Sequence, residues 1–135
     1  MRLAVLALVL SSVALAEEPK VTVNAEVIHA QVKAGTIEPG LQEMQIALSQ
    51  GKKYGALKRI STQKVTVQGK PTVLPLPNGK NAQLSLMTLE LGVATIKVKV
   101  PQGESTLKLG RDGSLFQQAG EWQGGDLWLV LSQPK

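Results

Sequence analysis

Single apolar residues alternate with single polar residues along much of this chain, and few folds accommodate a period of two. The alternation runs from Val21 to Val27 and again from Ile96 to Val100, where Thr95, Lys97 and Lys99 take the opposite positions. Because successive side chains of a β-strand point to opposite faces, the pattern predicts strands that are buried on one face. The 13 glycines and 7 prolines divide it into short segments, so we expect a mainly β protein.

The phase of the alternation changes at two places. In the first predicted strand the apolar positions switch parity between Val27 and Ile28, and a later strand switches near Met87. An extra residue in one strand of a pair produces such a switch, because it moves the following side chains to the other face. We therefore predict a β-bulge at each of these positions.

One segment departs from the period of two. Apolar residues recur there at helical spacing, at Leu41, Met44 and Leu48. The acidic Glu38 suits the positive end of a helix dipole. The sequence thus predicts one helix from Glu38 to about Gly51, with Ile46 off its apolar stripe.

Turn signals separate the strands of the second half. Pro77-Asn78-Gly79 predicts a hairpin, and the glycine-containing segment Ala119–Asp126 predicts a loop. The last run, Leu127–Leu131, is apolar at both parities, so we expect it to be covered on both faces. Together these segments predict about seven to eight short antiparallel strands with one α-helix after the first strand. They form a small β-sandwich or partly open barrel.

The N-terminus has the pattern of a secretory signal. Arg2 precedes an apolar stretch from Leu3 to Leu10, and Ala14-Leu15-Ala16 places small residues where signal peptidase reads them. We predict a signal peptide over residues 1–16 and a single β-rich domain over residues 17–135. The absence of cysteine excludes a lipid anchor attached through that residue, so we expect a periplasmic or secreted protein.

Catalytic and metal-binding patterns are missing from the sequence. There is one histidine, His29, and no cysteine, and no serine lies in a Gly-x-Ser-x-Gly turn. His29 is a conceivable general base, but a strand residue without a surrounding motif is more simply structural. We predict no enzyme activity, no catalytic residue, no metal and no cofactor.

The leading functional prediction is therefore a noncatalytic structural or protein-binding module of the bacterial cell envelope. Its partner would be another envelope protein or a second copy of the chain. The candidate contact residues are Trp122, Ile46 and Tyr54, since a tryptophan in a polar glycine-containing segment either folds back onto the core or meets a partner.

The formal net charge of +5 supports an alternative function. A basic surface carrying Lys52, Lys53, Lys97 and Lys99 would bind an anionic polysaccharide or a lipid surface. The low aromatic content and the predicted export both argue against nucleic acid as the partner.

Three short motifs resemble those of a loose set of small exported bacterial β-proteins with no assigned function. They are Glu38-Pro39-Gly40-Leu41 at the predicted helix, Leu76-Pro77-Asn78-Gly79 at the hairpin, and Gly124-Gly125-Asp126-Leu127 before the last strand. That set usually has Asp where this chain has Glu38. The resemblance implies export and a β-rich fold, and it implies no activity or ligand.

Overall fold

Two four-stranded antiparallel sheets make up the computed structural model, which describes residues 19–48 and 53–134. The elements are β1 Lys20–Gln31, α1 Gln42–Ala47, β2 Ala56–Gln68, β3 Thr72–Pro75, β4 Asn81–Glu90, β5 Val93–Val100, β6 Gly103–Leu109, β7 Ser114–Trp122 and β8 Gly125–Ser132. The predicted mainly β fold with one helix after the first strand is confirmed. Of the two predicted architectures, the sandwich is the one observed.

The chain crosses between the sheets twice. The first sheet has the strand order β2-β1-β8-β7, and the second is the meander β3-β4-β5-β6. The sheets pack face to face over a core of small aliphatic residues contributed by both, including Val27, Leu84, Ile96 and Leu129. Their inward positions follow the period of two read from the sequence.

A second core lies on the other face of the first sheet, beneath α1. Leu41 and Leu48 are fully buried there against Trp128 and Val130 of β8, with Met44 packed at the edge. Strand β8 is consequently covered on both faces, as predicted from its continuous apolar run. No helix within the described ranges is long and apolar enough to span a bilayer.

The predicted start of the helix is wrong. Gly40 has a φ of 90°, which a right-handed helix does not allow, so α1 begins at Gln42. The Glu38 carboxylate accepts a hydrogen bond from the backbone N–H of Arg59 instead of facing the helix dipole. The predicted helix end near Gly51 lies outside the described residues.

The bulge predicted near Met87 is confirmed, because Leu86 pairs with Ile96 and Thr88 with Thr95 across β4 and β5. A register shift also occurs at Val27/Ile28, but its extra residue is Ile60 of β2.

The parity switch in β1 therefore has a different cause from the one predicted. The pairing of β1 with β8 is continuous through Val27 and Ile28. Val27 belongs to the core between the sheets, and Ile28 belongs to the core beneath α1. The parity switch arises because the second half of β1 is also buried on its other face, beneath α1.

The predicted loop over residues 119–126 is also corrected. Strand β7 continues to Trp122, with a bulge at Ala119, and only Gln123 and Gly124 form the turn into β8. Both turn residues have positive φ, as in the two-residue hairpin that matches the twist of β-strands.

Candidate functional site

Trp122, one of the predicted contact residues, packs back onto the protein. Its side chain is half-buried against the core between the sheets and meets the His29 ring edge-on, with ring centroids 5.1 Å apart. His29 Nε2 lies 2.8 Å from the Trp122 carbonyl oxygen. Because a carbonyl oxygen only accepts, Nε2 carries the proton of this bond. His29 thus links β1 to the end of β7 across Gly125 of the intervening strand β8.

An open cleft lies beside Trp122, between the end of β1 and the β7–β8 turn. Its volume is about 460 Å³, and its walls include Val32, Glu121 and Asp126. Asp126 is itself buried and already accepts a hydrogen bond from Tyr54. The cleft is therefore open and lined by both polar and apolar residues, and its buried carboxylate is already hydrogen-bonded within the protein.

Tyr54, the second predicted contact residue, belongs to the core beneath α1. Its ring is buried, and its hydroxyl donates to Asp126 Oδ2 at 2.7 Å. Trp128 Nε1 donates to the same hydroxyl at 3.2 Å, and Gln45 Nε2 donates to the Tyr54 carbonyl oxygen at 2.6 Å. Buried polar groups need such partners. Tyr54 has little surface left for contact with another molecule.

The predicted lysines do not form one basic surface. Lys97 and Lys99 lie on the outer face of the second sheet, where Lys97 pairs with Glu104 at 3.6 Å. Lys53 is exposed beside the core beneath α1. Lys52 and the side chain of Ile46 lie outside the described residues.

Among the described residues, the sequence analysis missed one exposed apolar feature, at the β4–β5 hairpin. Four apolar side chains at the end of the β4–β5 hairpin remain accessible, on both faces of the hairpin, and we name this group the apolar tip. Its members are Met87 (57% exposed), Leu89 (37%), Leu91 (99%) and Val93 (37%). Several exposed apolar residues at one hairpin end are a feature of interaction surfaces.

The turn of this hairpin holds an aliphatic residue in an unfavourable conformation. Leu91 has a φ of 52° and is followed by Gly92 with a φ of 81°, between the paired residues Glu90 and Val93. This two-residue turn favours Asn-Gly, because a left-handed backbone is costly for a residue with a branched side chain. Neither the conformational preference of leucine nor burial of its side chain explains why Leu91 occupies this turn position.

The turn is nevertheless anchored to the rest of the sandwich. Gln133 Nε2 donates to the carbonyl oxygens of Gly92 and Leu109, at 2.8 and 2.9 Å. The Arg111 side chain packs directly against Gly92 and leaves no room for a Cβ atom there. The two Gln133 hydrogen bonds tie the hairpin end to the residue that follows β8 and to the end of β6.

A groove of about 310 Å³ lies beside the apolar tip. It is lined by Pro19, Gly69, Lys70, Leu86 and Met87, so Met87 belongs to both features. The same end of the molecule thus carries a protruding aliphatic side chain and a concave, partly apolar surface.

The sequence contained one signal for this surface. Leu91 directly precedes the turn glycine Gly92, a position where asparagine or aspartate is usual. We interpreted Leu89 and Leu91 as ordinary strand residues, because the alternation does not reveal where a strand extends beyond the opposite sheet.

The described part of the chain contains no group of three His, Asp or Glu residues placed to hold a metal ion. Comparison with known proteins adds no relative: no family model matches, and no curated protein or solved structure is similar to this chain. The resemblance to exported bacterial β-proteins stays a prediction.

Proposed function

We propose that this protein is an exported, noncatalytic binding module of the bacterial cell envelope whose contact surface is the apolar tip. The observation that carries the proposal is Leu91, fully exposed and held with positive φ. The signal-like segment that ends at Ala14-Leu15-Ala16 supports export.

The cost of keeping Leu91 supports a role in binding. A left-handed backbone costs a non-glycine residue about 1–2 kcal/mol, and an asparagine at this turn would relieve much of it. Because the Leu91 side chain is exposed, it makes no packing contacts that would stabilise the isolated domain. Backbone strain of this kind is concentrated at sites that contact other molecules, where the side chain recovers the cost on binding.

The buried and half-buried polar groups support a noncatalytic role. His29 bonds the Trp122 carbonyl oxygen, and Tyr54 bonds Asp126 within the core beneath α1. Glu38 accepts a backbone N–H. A catalytic site needs polar groups that converge on a space where substrate can bind, whereas these groups bond one another or the backbone.

A second candidate function uses the outer face of the second sheet. Lys97 and Lys99 project from β5 on one side, and Lys108 lies on the neighbouring strand β6. An anionic polysaccharide would meet this face through several weak contacts. The Lys97 to Glu104 pair reduces its positive charge, so we favour the apolar tip.

Crosslinking in cells tests the proposed contact surface. A photo-reactive amino acid is placed at Leu91, and a matched control is placed at the exposed Gln123, in the β7–β8 turn of the first sheet, where φ is also positive. We expect a discrete adduct from position 91, with a second copy or another envelope protein, and none from position 123. No adduct from position 91 above that control would contradict the proposed function.

A further inference from the structure

The two sheets end in four edge strands, and three of these carry features that discourage pairing with another strand. In the first sheet, β7 has a bulge at Ala119 and β2 has one at Ile60, next to Arg59, whose outward N–H donates to the Glu38 carboxylate. In the second sheet, β3 is short and ends in Pro75. Bulges, short strands, prolines and covering segments are the means by which proteins prevent edge-to-edge association.

Strand β6 is the edge that lacks these features. Its pairing with β5 has no register shift, and Gly103–Leu109 contains no proline. Among the described residues no strand pairs with its other side. A regular, uncovered edge strand is a template on which another strand can add.

The turn before β6 shows which of its backbone groups are free. Val100 and Gly103 pair on either side of a two-residue turn, so they exchange backbone hydrogen bonds with each other. Hydrogen-bonded and non-hydrogen-bonded pairs alternate along an antiparallel ladder. The backbone N–H and C=O groups of Glu104, Thr106 and Lys108 therefore point away from β5, toward the open edge. All three residues are exposed.

The charges on this edge complement one another under a two-fold rotation. Glu104 and Lys108 lie two residues to either side of Thr106, on the same outer face of the second sheet. When two β6 edges pair antiparallel with Thr106 at the axis, Glu104 of each copy is opposite Lys108 of the other. Opposite charges at such positions stabilise a strand pair. A register displaced by two residues would lose both charge pairs, so the charges favour this one.

We infer that the β6 edge is a homodimer interface, in which two copies join their second sheets in the antiparallel register centred on Thr106. Glu104, Thr106 and Lys108 each exchange backbone hydrogen bonds with the residue opposite. On the inner face, half-buried Leu107 lies opposite Ser105 of the other copy and gains cover. This surface is separate from the apolar tip, so the inference does not depend on the proposed function. One strand pair is a small interface, which predicts a concentration-dependent dimer.

Sedimentation equilibrium of the purified protein across micromolar to millimolar concentrations tests the dimer. Thr106→Pro removes the central outward N–H group, which makes no hydrogen bond to β5, so the variant is expected to fold. We expect its dimer dissociation constant to rise about thirtyfold, because each dimer loses two backbone hydrogen bonds.

Thr62→Pro is the matched control, since it changes the same residue type on β2, an edge strand of the other sheet. The Thr66 carbonyl oxygen accepts a hydrogen bond from Thr72 Oγ1, so the backbone groups of Thr66 point away from β1. Those of Thr62, four residues earlier in an unbroken register, do the same. This control is expected to fold and to dimerise as the unchanged protein does. Leu91→Asn, at the apolar tip, is also expected to leave the dimer unchanged.

Charge reversal tests the register. Glu104→Lys and Lys108→Glu each place two like-charged pairs in the dimer, and each is expected to weaken it about tenfold. Mixing the two variants restores association, because each opposed pair in the mixed dimer then joins a lysine to a glutamate. Each variant keeps its own intrachain contacts in the mixture, so recovery reports the contact between copies. Lys64→Glu, on β2, is the control reversal and is expected to have no effect.

Four outcomes would overturn the β6 dimer: a monomer throughout the concentration range, equal dimerisation of Thr106→Pro and Thr62→Pro, loss of the dimer in Leu91→Asn, or no recovery on mixing the charge variants. Circular dichroism checks that each variant is folded, and the charge variants decide the matter if Thr106→Pro does not fold. The crosslinker at position 91 tests the proposed function separately, so that function can stand when the β6 dimer fails.

Discussion

At the scale of single residues, the buried polar network beneath α1 is expected to contribute to stability. Tyr54 joins the Asp126 carboxylate to the Trp128 indole N–H through one hydroxyl group. The three residues come from two segments that are 72 positions or more apart in the chain. Losing the hydroxyl leaves a donor and an acceptor with fewer partners in a place from which water is largely excluded.

Tyr54→Phe keeps the ring and removes this hydroxyl. We expect the free energy of unfolding to fall by about 1–3 kcal/mol, the usual cost of leaving a buried polar group without its partner. Urea denaturation followed by circular dichroism measures it. Ser61→Ala, which removes an exposed hydroxyl from β2, is the control and is expected to change stability by less than about 0.5 kcal/mol. Equal stability of the two variants would contradict the structural role assigned to Tyr54.

The sequence alone did not locate this network. Tyr54 lies between Lys53 and Gly55 in the sequence, and it was predicted as a contact residue. Its burial depends on Asp126, which reaches it only after β8 pairs with β1. Local sequence patterns contain no information about such long-range contacts.

At the scale of the elements, the pairing of β1 with β8 holds the first sheet together. Gly125 begins β8 at the point of closest approach. A Cβ atom there would lie 2.6 Å from both the Ala30 carbonyl oxygen and His29 Nε2. The carbonyl oxygen is part of the backbone and cannot move without disturbing the strand.

Gly125→Ala is therefore expected to destabilise the protein by about 1–3 kcal/mol, as overpacking of a filled site usually does. Thermal and urea unfolding measure the change. Gly69→Ala is the control, since no atom lies within 4 Å of its added Cβ and its φ is not in the left-handed region. That control is expected to be neutral or slightly stabilising. A Gly125→Ala protein as stable as the Gly69→Ala protein would show that the close approach at β8 is wrong.

Several elements were predictable because their signals are local. The alternation located the strands, the glycine and proline signals located the Pro77-Asn78-Gly79 hairpin, and the parity switch located the Met87 bulge. The start of the helix was missed because Gly40 adopts positive φ, a backbone choice that the apolar spacing does not encode.

At the scale of the whole molecule, the apolar tip depends on the relation between the two sheets. Leu89 has the spacing of a buried strand residue, yet it remains 37% exposed. Whether a given strand end is covered depends on the length and position of strands in the other sheet. From the sequence alone we therefore interpreted Leu89 and Leu91 as ordinary strand residues.

The predicted export segment joins the domain at the end that carries the apolar tip. Pro19, the first described residue, lines the same groove as Met87. Only Glu17, Glu18 and Pro19 separate the predicted cleavage point from β1, a span of about 10 Å when extended.

The most direct test of this account is the intact mass and location of the protein in the cells that produce it. We expect it in the periplasmic or secreted fraction, with a mass that corresponds to a chain beginning at Glu17. Recovery of the chain from the cytoplasm with Met1–Ala16 still attached would contradict export. The proposed role in the cell envelope would then have to be abandoned.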